Sequence, residues 1–226
     1  MTDSPPRGLP SLRLPSLPTV DVVLMPSPDI ARRSEETSRQ LAEHGTEFTL
    51  RDGELFAHLS LYMGTFDRPQ WELEQVLADI AKETPPVRLT AERYTQDLDH
   101  GMIEITYENS APVTRLQEMV VAAFNPLRSG MRERDPVGRV LREWQPTTTG
   151  EVRTNLERYG YDEIGGHFRP HITFTRFRLR DLSIDTGALP PPAAFSGIFP
   201  TLGLFEMGEH GTCTRRMVEL RLGDNR

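Results

Sequence analysis

Two histidines with matching neighbours are the residues of this chain best suited to chemistry. Residues 55–63 read LFAHLSLYM and residues 168–177 read FRPHITFTRF, so each stretch holds a histidine, an apolar residue and a hydroxyl residue in that order. Alternate side chains of a strand share a face. The polar faces of the two predicted strands therefore carry His58 with Ser60 and His171 with Thr173.

Two such histidines suit acid and base catalysis at phosphorus. Histidine titrates near pH 6.5, so a neutral ring accepts a proton while a charged ring donates one. A phosphodiester between the strands would meet a base at the entering oxygen and an acid at the leaving oxygen, without a metal. We therefore predict catalytic roles for His58 and His171 and phosphoryl binding by Ser60 and Thr173. The sequence leaves open which histidine is the base.

The spacing of histidine and hydroxyl is not specific by itself. His44-Gly45-Thr46 and His210-Gly211-Thr212 have the same spacing, but their central glycines indicate turns, where no face is defined. Only His58 and His171 have apolar residues on both sides of each polar position. The remaining histidines of the chain are interpreted as surface residues: His44, His100, His167 and His210.

Three further features have both a functional and a structural interpretation. Arg169 shares the face of His171 and is a candidate phosphate ligand, or else a solvated strand end. Tyr62 follows Ser60 on the predicted polar face and is a candidate for stacking on a base, or else a core residue. Residues 125–150 are rich in arginine and form either a nucleotide-binding lid or a solvated loop. The arginines are Arg128, Arg132, Arg134, Arg139 and Arg142.

The elements that must position these residues follow a mixed order. Helices are predicted to begin near Pro28, Pro69, Pro112 and Glu151, where proline or capping residues precede an apolar periodicity. Strands are predicted at 20–25, 55–63, 168–177, 199–207 and 215–222, and a hairpin runs from 87 to 107. Strands and helices do not alternate strictly, which favours an α+β domain over a doubly wound parallel sheet.

Three segments are expected along the chain. Residues 1–18 form a proline-rich arm, residues 19–226 form a single domain, and residues 125–150 are an insertion within that domain. The length of 226 residues is enough to bury a substantial core. The oligomeric state cannot be read from the sequence, although a monomer is favoured.

Composition narrows the classes of function. A net charge of -7 argues against bulk duplex nucleic acid as a partner. No apolar run is long enough to span a membrane. The single cysteine, Cys213, excludes an intramolecular disulfide, which fits a reducing cytoplasm. No HxH or HExxH motif is present, so neither a metal nor another cofactor is expected.

The motif strands resemble a known family. HLSL at 58–61 and HITF at 171–174 are similar to the paired motifs of the two-histidine phosphoesterase superfamily, which includes bacterial 2′-5′ RNA ligases and RNA 2′,3′-cyclic phosphodiesterases. The arginine and proline before His171 also resemble the second motif. The two motifs are farther apart than in compact bacterial members, and we assign the excess to residues 125–150.

The resemblance implies a fold and an activity. The fold would be bilobal and α+β with pseudo-twofold symmetry, its antiparallel sheets forming a central cleft and its helices lying outside. The activity would be metal-independent cleavage or ligation at 2′,3′-cyclic or 2′-5′ linked phosphates of a small nucleotide or RNA end. The alternative is a nucleotide or RNA end-binding module that uses the same cleft without chemistry. Retention of both histidines and both hydroxyls speaks against that alternative.

Overall fold

The computed structural model describes residues 17–224, in which every pair of neighbouring strands is antiparallel. The strands are β1 (Thr19–Met25), β2 (Leu59–Thr65), β3 (Val87–Leu89), β4 (Ala91–Asp97), β5 (Met102–Tyr107), β6 (His171–Arg176), β7 (Gly197–Phe199), β8 (Thr201–Met207) and β9 (Cys213–Arg221). The helices are α1 (Pro28–Leu41), α2 (Gln70–Glu83), α3 (Ala111–Phe124), α4 (Leu141–Trp144) and α5 (Gly150–Tyr159). The α+β prediction is confirmed.

The two motif strands are edge strands of different sheets. One sheet has the order β2-β1-β8-β9, the other has the order β4-β5-β6, and β3 pairs with β7. Strand β2 is in contact with β6, so the sheets meet along these two edges. His171 opens β6, whereas His58 lies directly before the first residue of β2.

A long helix packs behind each motif strand. Proline occupies or directly precedes the first turn of α1, α2 and α3, where a missing backbone N–H costs nothing. Helix α3 packs on β2, and helix α1 packs on β6. The buried face of α1 includes Ser34, Thr37 and Ser38, whose small side chains allow the helix to approach the sheet closely. The motif strands are thereby supported from the side away from the cleft.

Each motif strand carries a β-bulge directly after its hydroxyl residue. Val23 pairs with Ser60 and Val22 with Tyr62, so Leu61 is an extra residue in β2. Glu104 pairs with Thr173 and Ile103 with Thr175, so Phe174 is an extra residue in β6. An extra residue reverses the alternation of side chains beyond it. The two motifs therefore share an irregularity as well as a sequence pattern.

A buried polar side chain binds the carbonyl of each bulge residue. The Ser38 hydroxyl of α1 donates to Phe174 O at 2.6 Å, and the Gln117 amide of α3 lies 3.4 Å from Leu61 O. Ser38 and Gln117 are both almost fully buried. A carbonyl released from the strand ladder in the core needs such a partner. The helices therefore stabilise the bulges as well as covering the strands.

The apolar faces of the sheets and helices form one main cluster. It includes side chains from both motif strands, such as Leu59, Leu61, Ile172 and Phe174. A second, small cluster lies near the first motif and contains Val23, Phe56, Phe205 and Cys213. The main core is therefore continuous behind both edges of the cleft.

Two sequence-based expectations need comment. The hairpin predicted over 87–107 is formed by β4 and β5 alone, because Val87–Leu89 pairs with β7 across a large sequence separation. Of the predicted arm at 1–18, residues 1–16 lie outside the described residues. Among residues 17–224, no helix has the length and apolar character needed to cross a membrane.

We predict that the turn joining β4 to β5 requires glycine. Gly101 has φ +70°, and a Cβ there would lie 2.7 Å from Phe177 O, at the end of the second motif strand. Gly53 has φ +80° but no atom within 4 Å of such a Cβ. Gly53→Ala should cost about 1 kcal/mol of unfolding free energy through backbone strain, and Gly101→Ala about 2 to 3 kcal/mol. Urea denaturation measures both, and equal losses would contradict the packing argument.

Candidate active site

The cleft between the two motif strands brings the four predicted site residues together. His58, Ser60, His171 and Thr173 all line a cavity of about 240 Å³. The side chains of the two histidines are nearly buried, at 12% and 15% exposure. The cleft therefore offers two imidazoles and two hydroxyls to one small ligand.

Both histidines are oriented by the same backbone contact. His58 Nδ1 lies 2.8 Å from Phe56 O, and His171 Nδ1 lies 2.6 Å from Arg169 O. A carbonyl oxygen only accepts, so each Nδ1 carries a proton and donates. The Nε2 atom of each ring is then the nitrogen left for a ligand or a neighbouring side chain.

A buried carboxylate lies beside each histidine, on the strand that pairs with the motif strand. Asp21 of β1 is fully buried, and its Oδ2 lies 3.7 Å from His58 Nε2. Glu104 of β5 is 2% exposed, and its Oε2 lies 3.2 Å from His171 Nε2. Sequence reasoning missed both acids. Their only signal is a single charge inside an apolar strand, in TVDVVLM and MIEITY.

The two histidines differ in their electrostatic surroundings. Burial lowers the pKa of His58 to about 4; the ring's hydrogen bond to Phe56 opposes this, and the charge of His171 reinforces it. His171 instead lies within ion-pair distance of Glu104 and, at 4.0 Å, of Glu163. His58 is therefore neutral near pH 7, whereas His171 is the histidine with two acidic neighbours.

Arg169 reaches the same cluster. Its Nη2 donates to Glu104 Oε1 at 3.1 Å, while the side chain remains 45% exposed and lines the cleft. The predicted phosphate ligand is therefore placed beside His171, with a carboxylate holding its guanidinium. The Glu104 carboxyl group thus lies between Arg169 and His171.

Asp21 has an unusual environment for a carboxylate. Burial raises the pKa of Asp21 to about 8, although a hydrogen bond from Ser60 and the charge of Arg132 lower it. Ser60 Oγ lies 2.6 Å from Asp21 Oδ2. The other oxygen, Oδ1, has no hydrogen-bond partner within residues 17–224. An acid in this position prefers to keep its proton near pH 7.

The arginine-rich segment forms one wall of the cleft. Four of its residues line the cavity: Asp135, Pro136, Val137 and Arg139. Asp135 accepts from the Arg139 side chain and from two backbone N–H groups, which fixes the loop. Arg132 is 2% exposed, packs 5.3 Å over the Tyr161 ring and has unpartnered Nε and Nη2 atoms within the described chain. Residues 132–139 therefore pack against the cleft, which corrects the alternative of a solvated loop for this part of the segment. Binding of nucleotide phosphates by the segment stays a prediction.

Arg176 ties the segment to both lobes. It donates to His100 O and Val137 O at 2.8 and 3.2 Å, and its Nη1 lies 3.2 Å from His210 Nδ1. Pro136 also lies directly against Gly211. These contacts hold residues 136 and 137 against the turn between β4 and β5 and the loop before β9. His100 and His210 line the cavity, which corrects the prediction that they are surface residues.

Tyr62 does not reach the cleft. It is fully buried, with its hydroxyl 2.8 Å from Tyr159 O, and Met63 lines the cavity instead. The bulge at Leu61 reverses the alternation between Ser60 and Tyr62, which a strict period of two cannot anticipate. The predicted stacking role of Tyr62 is therefore corrected to a core role.

One group of donor atoms is compact enough to share a metal ion. Among residues 17–224, Asp21, His58 and Cys213 offer ligand atoms within 4.8 Å of one another. Two features make the group a poor ligand set. Ser60 already occupies Asp21 Oδ2, and burial together with the Asp21 charge raises the pKa of the Cys213 thiol, which keeps its proton. We assign no metal to it.

Comparisons with known proteins identify the fold. A structure described as a phosphoesterase matches with a TM-score of 0.54 at 14% identity, and E. coli LigT complexed with ATP matches with 0.53 at 15% identity. LigT in its apo form matches with 0.51 at 18% identity. Each match covers 92% of this chain and 100% of the other. The resemblance to the two-histidine phosphoesterase fold is confirmed.

Sequence comparisons give a complementary result. A family model described as a protein of unknown function (DUF1045) matches residues 65–183. The matched region includes β6 and the arginine-rich segment and begins after His58. No curated protein sequence matches the chain.

The buried Asp21 should make stability depend on pH in a defined direction. Its folded pKa, about 8, lies above the ordinary 3.8, so between these values the unfolded chain releases a proton that the native protein keeps. Native stability is therefore lost as pH rises through this window. Between these two pKa values, the unfolding free energy of Asp21→Asn minus that of wild type should increase by about 1.4 kcal/mol for each unit of pH.

Denaturant unfolding at several pH values measures this difference. The same substitution at Asp29, whose side chain is 86% exposed, controls for the chemical change itself. A difference between Asp21→Asn and wild type that does not vary with pH would show that Asp21 is ionised in the native protein.

Proposed function

The chain belongs to the DUF1045 family and has the fold of two-histidine phosphoesterases, and from this premise we propose that it is a metal-independent phosphodiesterase. Its substrate is a small nucleotide or RNA end that carries a 2′,3′-cyclic phosphate or a 2′-5′ linkage, and a ligase-like reverse reaction uses the same groups. The proposed reaction requires neither a metal nor an organic cofactor.

One observation carries the proposal. Two histidines in one cleft have equivalent backbone contacts at Nδ1 but different neighbours at Nε2. His58 is held neutral by burial, and its Nε2 has a free lone pair because the ring proton is on Nδ1. His171 instead has Glu104 Oε2 3.2 Å from Nε2 and Glu163 Oε2 4.0 Å from Nδ1. We therefore assign the base to His58 and the acid to His171, the other imidazole of the cleft.

The hydrolytic step then balances. His58 Nε2 takes a proton from water as the water oxygen forms a bond to phosphorus. The phosphorus–oxygen bond on the opposite side breaks, and His171 gives its Nε2 proton to the leaving oxygen. Thr173, Ser60 and Arg169 bind the non-bridging oxygens, where negative charge accumulates. The same groups serve ligation in reverse, with the two histidines exchanging roles.

The size of the cleft supports a small substrate. A cavity of about 240 Å³ lies just below the range of roughly 300 to 1,000 Å³ that is usual for small-molecule sites, and it leaves no room for a duplex. LigT, which shares the fold, has been crystallised with phosphate, ATP and 3′-AMP. These ligands share a phosphoryl group, which is consistent with the substrate class proposed for this chain.

A cytoplasmic location and action as a monomer complete the proposal. Cys213 is a free, buried thiol, so a reducing compartment suits the protein. The site also uses residues of a single chain, since both motif strands and the wall formed by residues 135–139 belong to it.

Replacement of either cleft histidine should lower turnover strongly. We expect His58→Ala and His171→Ala each to lower kcat for a 2′,3′-cyclic nucleotide by about 10² to 10⁴, because each removes a proton-transfer group. His44→Ala is the matched control, since His44 has the same histidine-glycine-threonine spacing but does not line the cleft. Assays in EDTA should give wild-type rates. Full activity of both cleft variants, or loss of activity in EDTA, would refute the mechanism.

A substrate screen distinguishes the enzyme from the alternative, a binding module without chemistry. The compounds to be tested are 2′,3′-cyclic nucleotides, 2′-5′ linked oligonucleotides, cyclic nucleotides and small phosphodiester metabolites. A ligand that binds wild-type protein and is recovered intact from every condition would identify a binding module instead of an enzyme.

The assigned base should give an unusual pH profile. A histidine base of ordinary pKa loses activity as pH falls through 6.5. Because burial lowers the pKa of His58 to about 4, we expect kcat/KM to be retained as pH falls from about 7 to about 5. Initial rates at low substrate concentration measure this. A loss of about tenfold between these pH values would assign the base to a different group.

A further inference from the structure

The two hydroxyls of the motifs are not equivalent. Ser60 is engaged with Asp21 Oδ2 at 2.6 Å, whereas the Thr173 hydroxyl makes no hydrogen bond to any residue between 17 and 224. Thr173 has Glu104 opposite it on β5, but that carboxylate is engaged by Arg169 and lies beside His171. Only one of the two hydroxyls is therefore linked to a buried acid.

The direction of the Ser60–Asp21 hydrogen bond depends on one proton. A separation of 2.6 Å fits a hydroxyl that donates to a carboxylate, and it fits equally a carboxylic acid that donates to a hydroxyl oxygen. In the first case the only proton of Ser60 points at Asp21. In the second case that proton is available to a ligand in the cleft.

We propose that Asp21 is a positioning residue, and that its protonated form donates to Ser60 Oγ and so directs the Ser60 hydroxyl proton to a phosphoryl oxygen of the substrate. When Asp21 ionises, it takes that proton, and Ser60 presents only lone pairs to the ligand. A negative charge then also lies next to the phosphoryl group. The proposal rests on the phosphoryl-binding role of Ser60 and adds a pH-dependent limit to it.

The surroundings of Asp21 favour the protonated form near pH 7. The side chain is fully buried, and Oδ1 lacks a partner in the described part of the chain, so an ionised carboxylate would have one oxygen unsolvated. Titratable or charged groups near it come from several elements: His58, Arg132, Tyr161, Glu163 and Cys213. Arg132 favours ionisation and Glu163 opposes it, and burial is the largest effect.

Binding of sulfate tests the proposal without any turnover. Sulfate is a tetrahedral oxyanion that does not titrate between about pH 6.5 and about pH 9, and its affinity can be followed by calorimetry. If only the protonated form of Asp21 is competent, a tenth of the protein is competent about one unit above the pKa of about 8. Wild-type affinity should therefore fall about tenfold by pH 9 from this cause alone.

Asp21→Asn isolates that cause. Other groups that lose a proton between about pH 6.5 and about pH 9 do so in both proteins. The ratio of the sulfate affinity at the lower pH to that at the higher pH should therefore be about tenfold smaller in Asp21→Asn than in wild type. An equal ratio in the two proteins would overturn the proposal. Asparagine has the same shape and no charge, and the unfolding transition of the variant verifies that it is folded.

Two further variants separate the hydrogen bond from simple charge repulsion. Thr173→Ala should weaken sulfate at every pH but keep the whole pH-dependent loss, because Thr173 does not contact Asp21. Ser60→Ala should weaken sulfate near pH 6.5 and reduce the pH-dependent loss. If Ser60→Ala keeps the whole loss, the Asp21 charge acts without Ser60 and the positioning role is wrong. Failure of the phosphodiesterase assay would leave these binding results interpretable, so the two proposals fail separately.

Discussion

The bulge that follows each motif is the constraint on which the cleft depends. A regular strand would continue to alternate past the hydroxyl residue and would present Tyr62 to the ligand. The extra residue instead turns Tyr62 into the core and brings Met63 to the cavity. It is sustained because Ser38 and Gln117 approach the carbonyls of Phe174 and Leu61 from the helices behind. Helix packing, strand irregularity and cleft shape are therefore one arrangement, present in both lobes.

The same repeated framework carries unequal chemistry. Each motif histidine is anchored at Nδ1 by the carbonyl two residues earlier, and each has a buried acid on the adjoining strand. Glu104 accepts a hydrogen bond from Arg169 and lies beside His171. Asp21 forms no ion pair with an arginine within residues 17–224, and burial raises its pKa to about 8. Two lobes of similar backbone thereby give their histidines different electrostatic surroundings.

Much of this site could be predicted from the sequence, and the gaps have physical causes. The apolar flanks of His58 and His171 define a polar face, so period-two reasoning selected them over the histidines with a glycine in the motif. The same reasoning failed at Tyr62, because a bulge leaves no mark in a short alternating stretch. Asp21 and Glu104 were missed because a single charge inside a strand has meaning only once its neighbour across the sheet is known. The β3–β7 pairing likewise depends on a contact far away in the sequence.

Arg176 links the wall of the cleft to the second motif strand, since it lies on the same strand as His171 and donates to Val137 O. The wall and the second histidine are therefore fixed to one element. A shift of that strand would carry both along, so the distance between the wall and His171 is kept even if the two sheets move relative to each other.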